Sequence, residues 1–385
     1  DGDMSFSRNS AATRVNAQGL VENVQILSSN LVSNGDFSQE GVQEVSNGSF
    51  SQEGAELVTN GDFATDSDWA LGAGSTISGG ILNHTGSSSD TFQTISITEK
   101  QYKLEYTIVS GSGSVRFWSN VGSYTTGQTG VGTYVSYFYY DSSIGNNGRF
   151  SIVLDGDISI DNVSVKEVGQ DWNLGTGWSV GKDKVVKSGT DLSYLTQTSL
   201  SSVVGKTYRV KASISNMTAG NIRIDNFTSG TSYTTDVEID VYYTATTVGN
   251  FRFLGWGGFN GSITNISVKE VGQDWTLGTG WSIGEDKAIN DGSGFGALSS
   301  SYSNFNSKKL KVNFDILNYV SGEIRVPPSY RQDGLDIRYS ANGSYELIYD
   351  SINSSFALNT VNFNGSVTNI SVLEITDDTN LPRIN

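Results

Sequence analysis

VKEVGQDWNLGTGWSVGKDK, residues 165–184, recurs as VKEVGQDWTLGTGWSIGEDK, residues 268–287, an offset of 103 positions. A fainter copy, DWALGAG from Asp68, stands the same 103 positions before DWNLGTG at Asp171. Self-similarity at a fixed period is the mark of repeated structural units, each with its own buried face. The chain therefore reads as three equal modules.

Other landmarks recur in the same order inside each period. The middle carries an alternating strand, a Gly, and then an Arg between branched or aromatic residues: YKLEYTIVSGSGSVRF, YRVKASISNMTAGNIRI and LKVNFDILNYVSGEIRV. The closing stretches are GDISIDNVSVKEV, GSITNISVKEV and GSVTNISVLEI. Alternation of apolar and polar residues with period two places one face of a strand against a core and the other in water. A module of about 100 residues with six to nine such strands suits a two-layer sandwich. The expected fold class is all-β, with three tandem jelly-roll β-sandwich modules at 57–168, 169–271 and 272–376. An extended N-terminal segment, 1–56, precedes them and a tail, 377–385, follows. The direct joints at VKEVGQDW predict a rigid string of modules.

Composition agrees with this reading. Among 385 residues there are 45 Gly and 3 Pro, with abundant Ser, Thr and Asn, as many short strands joined by turns require. The net charge of −16, with basic residues scattered along the chain, argues against nucleic acid as a partner. No run of 18 apolar residues occurs, and DGDMSFSRNS has no apolar stretch of the signal-peptide kind, so no membrane insertion is expected. The absence of Cys excludes disulfides and thiolate metal sites, and fits folding in a reducing cytoplasm.

A shorter period lies ahead of the first module. LVSNGDFSQEG, EVSNGSFSQEG and LVTNGDFATDS place their Asn at 34, 47 and 60. Asn-Gly is a strong turn signal, yet thirteen residues cannot build a core of their own. Residues 30–56 are expected to be strands or turns that need a neighbouring chain or module to bury Phe37 and Phe50. Segment 1–56 is the part expected to dock on a larger particle or intertwine with sister chains.

NGDFATDSDW, together with the closing IDNVSVKEV, resembles the jelly-roll carbohydrate-binding modules, which open on an Asn-Gly-x-Phe turn and close on an Ile-Asp-Asn-Val-Ser strand. Modules two and three depart from that pattern: the opening turn is missing, and Thr264–Asn265 and Thr368–Asn369 stand where module one has Asp161–Asn162. FSRNSAATRVNAQGLVENV, residues 6–24, resembles a signature common in phage tail-fibre and other virion proteins, where an Asn-x-Pro-Arg segment usually follows closely. Here NLPRIN stands at 380–385, as though the modules had been inserted into that element and its halves met in space. Such proteins usually continue beyond this segment. The resemblance implies a virion surface protein of a tailed bacteriophage.

The sequence offers little for catalysis. The one His, His84 in LNHTGSSSD, reads as a turn residue, and no nucleophile elbow, zinc-protease helix motif or phosphate loop occurs. The carboxylate pairs Asp333–Asp336 and Asp155–Asp157 have the types a glycosidase uses, but such pairs are commonplace in acidic loops. Glycan binding instead needs aromatic faces that stack on sugar rings, with Arg and amide groups for the hydroxyls. Trp69, Trp172 and Trp275 recur at one position, as do Trp178 and Trp281, which favours packing. Trp118 and Trp256 do not recur and, with Tyr330, are the aromatic candidates for a glycan site. Arg116, Arg223 and Arg325 share one position and are candidates for the same site; covering the sheet with the charge solvated is the equal alternative. The resemblance to carbohydrate-binding modules implies a structural calcium ion, with Asp161 and Asp62 or Asp66 as oxygen donors in module one. No other cofactor is expected.

These readings converge on a non-enzymatic virion protein, a fibre, spike or decoration protein on tail or head, that displays its modules for host adhesion. The partners implied are other virion proteins, sister chains in a homo-oligomer, a trimer by analogy with phage fibres, and host-surface glycan. Two alternatives stand beside it: an extracellular bacterial polysaccharide-binding protein, and an architectural spacer without ligand.

Overall fold

The computed structural model describes residues 13–15, 19, 21–23, 26–117, 127–141, 149–225 and 230–376. The chain is all-β: among the described residues the only helical piece is the three-residue 3-10 turn Pro328–Tyr330. Three separate hydrophobic cores divide the strands into three sandwich modules.

In module one, one sheet runs in the order Gly132–Tyr139, Gln101–Gly111, Ile158–Val168, Ile81–His84, Ser75–Ser78, and the facing sheet consists of Ser114–Phe117, Arg149–Asp155 and Ser89–Thr94. All pairings are antiparallel. In modules two and three, long strands pass from one sheet into the other: Thr207–Asp225 with Asn250–Val271, and Lys309–Val326 with Ala357–Thr376. Each pair shifts register midway, between Ser215 and Asn221 and between Leu317 and Glu323. The bend falls at the Gly of the repeated Gly-x-x-Arg. Gly220 and Gly322 both have φ +75, and a Cβ there would lie 2.2 Å from the Phe259 nitrogen and 2.1 Å from the Asn362 oxygen. Only glycine allows the backbones to approach so closely at positive φ.

The opening turns that modules two and three lack in sequence are present in space. Val32 and Phe37 lie in the core of module three, and Val45 and Phe50 lie in the core of module two. Val58 and Phe63 complete module one. The three turns thus serve the modules in reverse order, the first turn closing the last module. In each, the Phe ring meets the recurring Trp with centroids 5.2–5.5 Å apart: Phe37 with Trp275, Phe50 with Trp172, Phe63 with Trp69. The indole N–H of each Trp donates to the turn's backbone, at Asn34, Asn47 and Asn60. Gly35, Gly48 and Gly61 are held so close to the closing strands that a Cβ would lie 1.9–2.0 Å from the carbonyl oxygens of Ile370, Ile266 and Val163.

Short strands beside the turns extend the same relationship. Glu53–Glu56 pairs with Ile158–Val168, Glu40–Gln43 with Asn250–Val271, and Ile26–Leu27 with Ala357–Thr376. Glu53 bridges Lys103 and Lys166, while Glu40 bridges Arg209 and Lys269. Residues 30–56 thus bury their Phe side chains in neighbouring modules, as expected, and the boundary drawn at residue 56 is corrected. From Val32 to Phe50 the chain is an integral part of modules two and three, because Val and Phe side chains in a thirteen-residue unit find burial only in a neighbouring core.

Candidate functional site

Each module's second sheet turns one face to its core and the other to solvent, and strand alternation assigns the residues. In module two, Ile222, Ile224, Phe251, Phe253 and Leu195 point inward and are fully buried. Arg223, Asp225, Arg252 and Tyr194 therefore face outward. Cross-strand register aligns them in rows: Arg223 opposite Leu254 opposite Tyr194, and Asp225 opposite Arg252 opposite Thr196. Asn221 lies opposite Trp256 at the end of the sheet. Leu192 reaches the same end, since Ser193 pairs with Gly255. Trp256 is 38% exposed and Leu192 60% exposed.

Charge ties the rows together. Arg252 donates through Nε to Asp225 at 2.7 Å and reaches the same carboxylate through Nη2 at 2.6 Å. Its guanidinium lies 4.1 Å over the Tyr194 ring, where the negative π face favours a cation. Arg223 reaches Asp225 only at 3.3 Å, and its Nε is buried without an acceptor. The result is a flat, half-buried platform of aromatic and guanidinium groups bordered by exposed Trp256.

Modules one and three present the same face with other side chains. Arg116 and Arg325 occupy the Arg223 position, opposite Val153 and Asn359. Module one then has Asp90, with Arg149 lying 3.6 Å over Phe92. Module three has Ala297 in the Tyr194 position, with exposed Phe295 near its end. Sequence inspection singled out Arg223 and Trp256, which this face brings together, and Arg116 and Arg325 on the equivalent faces of the other modules, but missed Tyr194, Arg252, Leu192 and Phe295. Tyr194, in DLSYLTQ, carries no repeated motif; its alternation within the strand is the only signal that could have found it.

The remaining candidates fall elsewhere. Tyr330 sits half-buried in the 3-10 turn with its ring packed against the core of module three, away from the Arg325 row, and burial pushes its hydroxyl pKa up. Trp118 lies outside the described residues. Trp69, Trp172, Trp178, Trp275 and Trp281 are all core residues. Asp161 accepts the Asn162 amide at 2.7 Å and Asp62 the Ala64 amide, and among the described residues no three His, Cys, Asp or Glu side chains converge as a metal site. His84 lies within a strand, not in a turn. It is 1% exposed, with Nδ1 3.0 Å from the Ser75 hydroxyl and Nε2 3.2 Å from the Ser87 carbonyl. Asp333 is held below the usual carboxylate range by its hydrogen bond from Arg331, which suits a structural ion pair and not a general acid. Asp336 is engaged by Arg338 at 2.8 Å.

An open groove of 1190 Å³ lies where modules one and two meet. Its Trp172 and Trp178 are buried, and Lys100 and Glu167 on its rim pair with each other at 2.7 Å.

No family model matches the chain, and no curated protein matches it. Among solved structures, 32 chains match. One is the N-terminal CBM22-1-CBM22-2 tandem domain of Paenibacillus barcinonensis Xyn10C, with 10% identity over 57% of this chain and 98% of that one, and a TM-score of 0.23.

Proposed function

We propose that this chain is a non-enzymatic carbohydrate-binding protein displayed on the particle of a tailed bacteriophage, with its modules touching host-surface glycan. The observation that supports binding is the module-two platform: a half-exposed Trp256 beside guanidinium groups stacked and ordered on a sheet face. Sugar rings stack through their C–H faces on such surfaces while Arg and Asn bond the hydroxyls. Weak sites repeated along a chain and among sister chains reinforce one another through effective concentration.

The virion location rests on the signature at residues 6–24 and the NLPRIN segment. The strand Ile26–Leu27, which follows that signature, pairs antiparallel with Ile375 and Thr376, just ahead of the tail that carries NLPRIN. A homo-oligomer belongs to the same reading.

A glycan array probed with the whole chain and with Trp256→Ala tests the binding role. Binding that falls in the variant supports it, and a chain that binds no glycan is a spacer instead. Locating the chain in an electron-microscopy map of whole particles tests the virion role, and its absence from them would leave an extracellular polysaccharide-binding protein.

A further inference from the structure

We infer that the module-two platform selects an anionic sugar, a uronic acid, and that Arg223 recognises its carboxylate; this rests on the carbohydrate-binding role proposed above. On these rows, two guanidinium groups face one carboxylate. Both prongs of Arg252 fall on Oδ2 of Asp225, which leaves Oδ1 as the one acceptor for Arg223. Arg223 is left with one long contact at 3.3 Å, a side chain 36% exposed and a buried Nε that has no acceptor. The buried Nε is out of a ligand's reach, but Nη1 makes no bond among the described residues, so the Nη1–Nη2 edge is what the half-exposed side chain offers to a planar carboxylate, which guanidinium binds through two parallel hydrogen bonds.

Module three shares the buried Nε without an acceptor, at Arg325, and differs in its charge balance. Arg325 there faces Asp336 at 3.7 Å, and Arg338 bridges Asp336 and Glu323. Two cations meet two anions. Ala297 also replaces the stacking Tyr194. Module two alone of this pair combines a surplus cation with aromatic faces. The chain carries a net charge of −16, so a local positive edge is a selective feature and not part of a general basic surface.

The test is calorimetric titration of the whole chain with oligogalacturonate and with its methyl ester, the neutral counterpart of the same sugar. At low salt the acid should bind about tenfold more tightly than the ester, as expected for a charge-assisted hydrogen-bonded pair. That preference should shrink in high salt and vanish in Arg223→Gln, while Trp256→Ala weakens both ligands alike. Equal affinity for acid and ester, or a preference that survives Arg223→Gln, overturns the anionic selection and leaves the carbohydrate-binding role standing. Should the variant misfold, the salt dependence of the unmodified protein decides between the same two outcomes. A chain that binds neither these sugars nor any glycan on an array overturns both.

Discussion

Trp275 donates its indole N–H to the backbone carbonyl of Asn34 across 3.0 Å, although the two residues stand 241 positions apart. The matching bonds from Trp172 to Asn47 and from Trp69 to Asn60 span 125 and 9 positions. One local motif is therefore built once by neighbours in sequence and twice by residues brought together from far away. The last module cannot close without the segment that precedes the first.

Phe37→Ala should for this reason unfold or loosen module three and not module one. Removing a fully buried Phe ring costs about 3–5 kcal/mol. Hydrogen exchange should rise along Lys309–Val326 and Ala357–Thr376, with Gln101–Gly111 unchanged. Phe63→Ala should give the reverse pattern. Equal loosening of all modules by Phe37→Ala would contradict the pairing.

Glu40 and Glu53 clip their strands to modules two and one. Hydrogen bonds from Lys269 and Lys103, respectively, hold both carboxyls below the usual range. Because the folded pKa lies below the unfolded value, the unfolded chain binds more protons as the solution acidifies. The stabilisation is present above about pH 4.5 and fades as pH falls through the folded pKa. Melting temperature measured from pH 6 down to pH 3 should therefore drop less steeply in a Glu40→Gln, Glu53→Gln double variant than in the parent. Parallel curves would show that the clips contribute nothing.

Lys187 is fully buried, and its Nζ has no hydrogen-bond partner. Desolvation holds its pKa below the ordinary lysine value. The corresponding strand positions in the other modules carry the buried polar residues His84 and Asn290, both hydrogen-bonded. With the folded pKa below the unfolded one, the unfolded chain holds more protons, so this residue's contribution to stability rises with pH toward 10.5. Lys187→Met should raise the melting temperature at pH 7 and remove that rise between pH 7 and 10. A variant that melts lower would show that the amine has a partner the apolar chain cannot replace.

Gly220→Ala should destabilise module two by about 1–3 kcal/mol, since the new Cβ meets backbone and the φ of +75 is unfavourable for alanine. Gly79→Ala is the control. Its φ is +64, but nothing lies within 4 Å of the added carbon, so it should cost about 1 kcal/mol or less. Denaturant midpoints of the two variants separate steric contact from dihedral strain.

Period-two alternation, the 103-residue repeat and the turn chemistry of Asn-Gly determined that this chain folds as repeated β-sandwiches. These are local signals, written wherever a strand must put one face in a core. The recurring Trp residues could be read as core for the same reason, and the recurring Arg as one position on one face. What only the tertiary structure decided was which turn completes which module. The three Asn-Gly-x-Phe units are nearly identical, so nothing local tells Phe37 to seek Trp275 and not Trp69. Chain connectivity and the room in each core for one turn Phe settle it. The platform was hidden likewise: Tyr194, Arg223, Arg252 and Trp256 come from three strands, and only cross-strand register places them side by side.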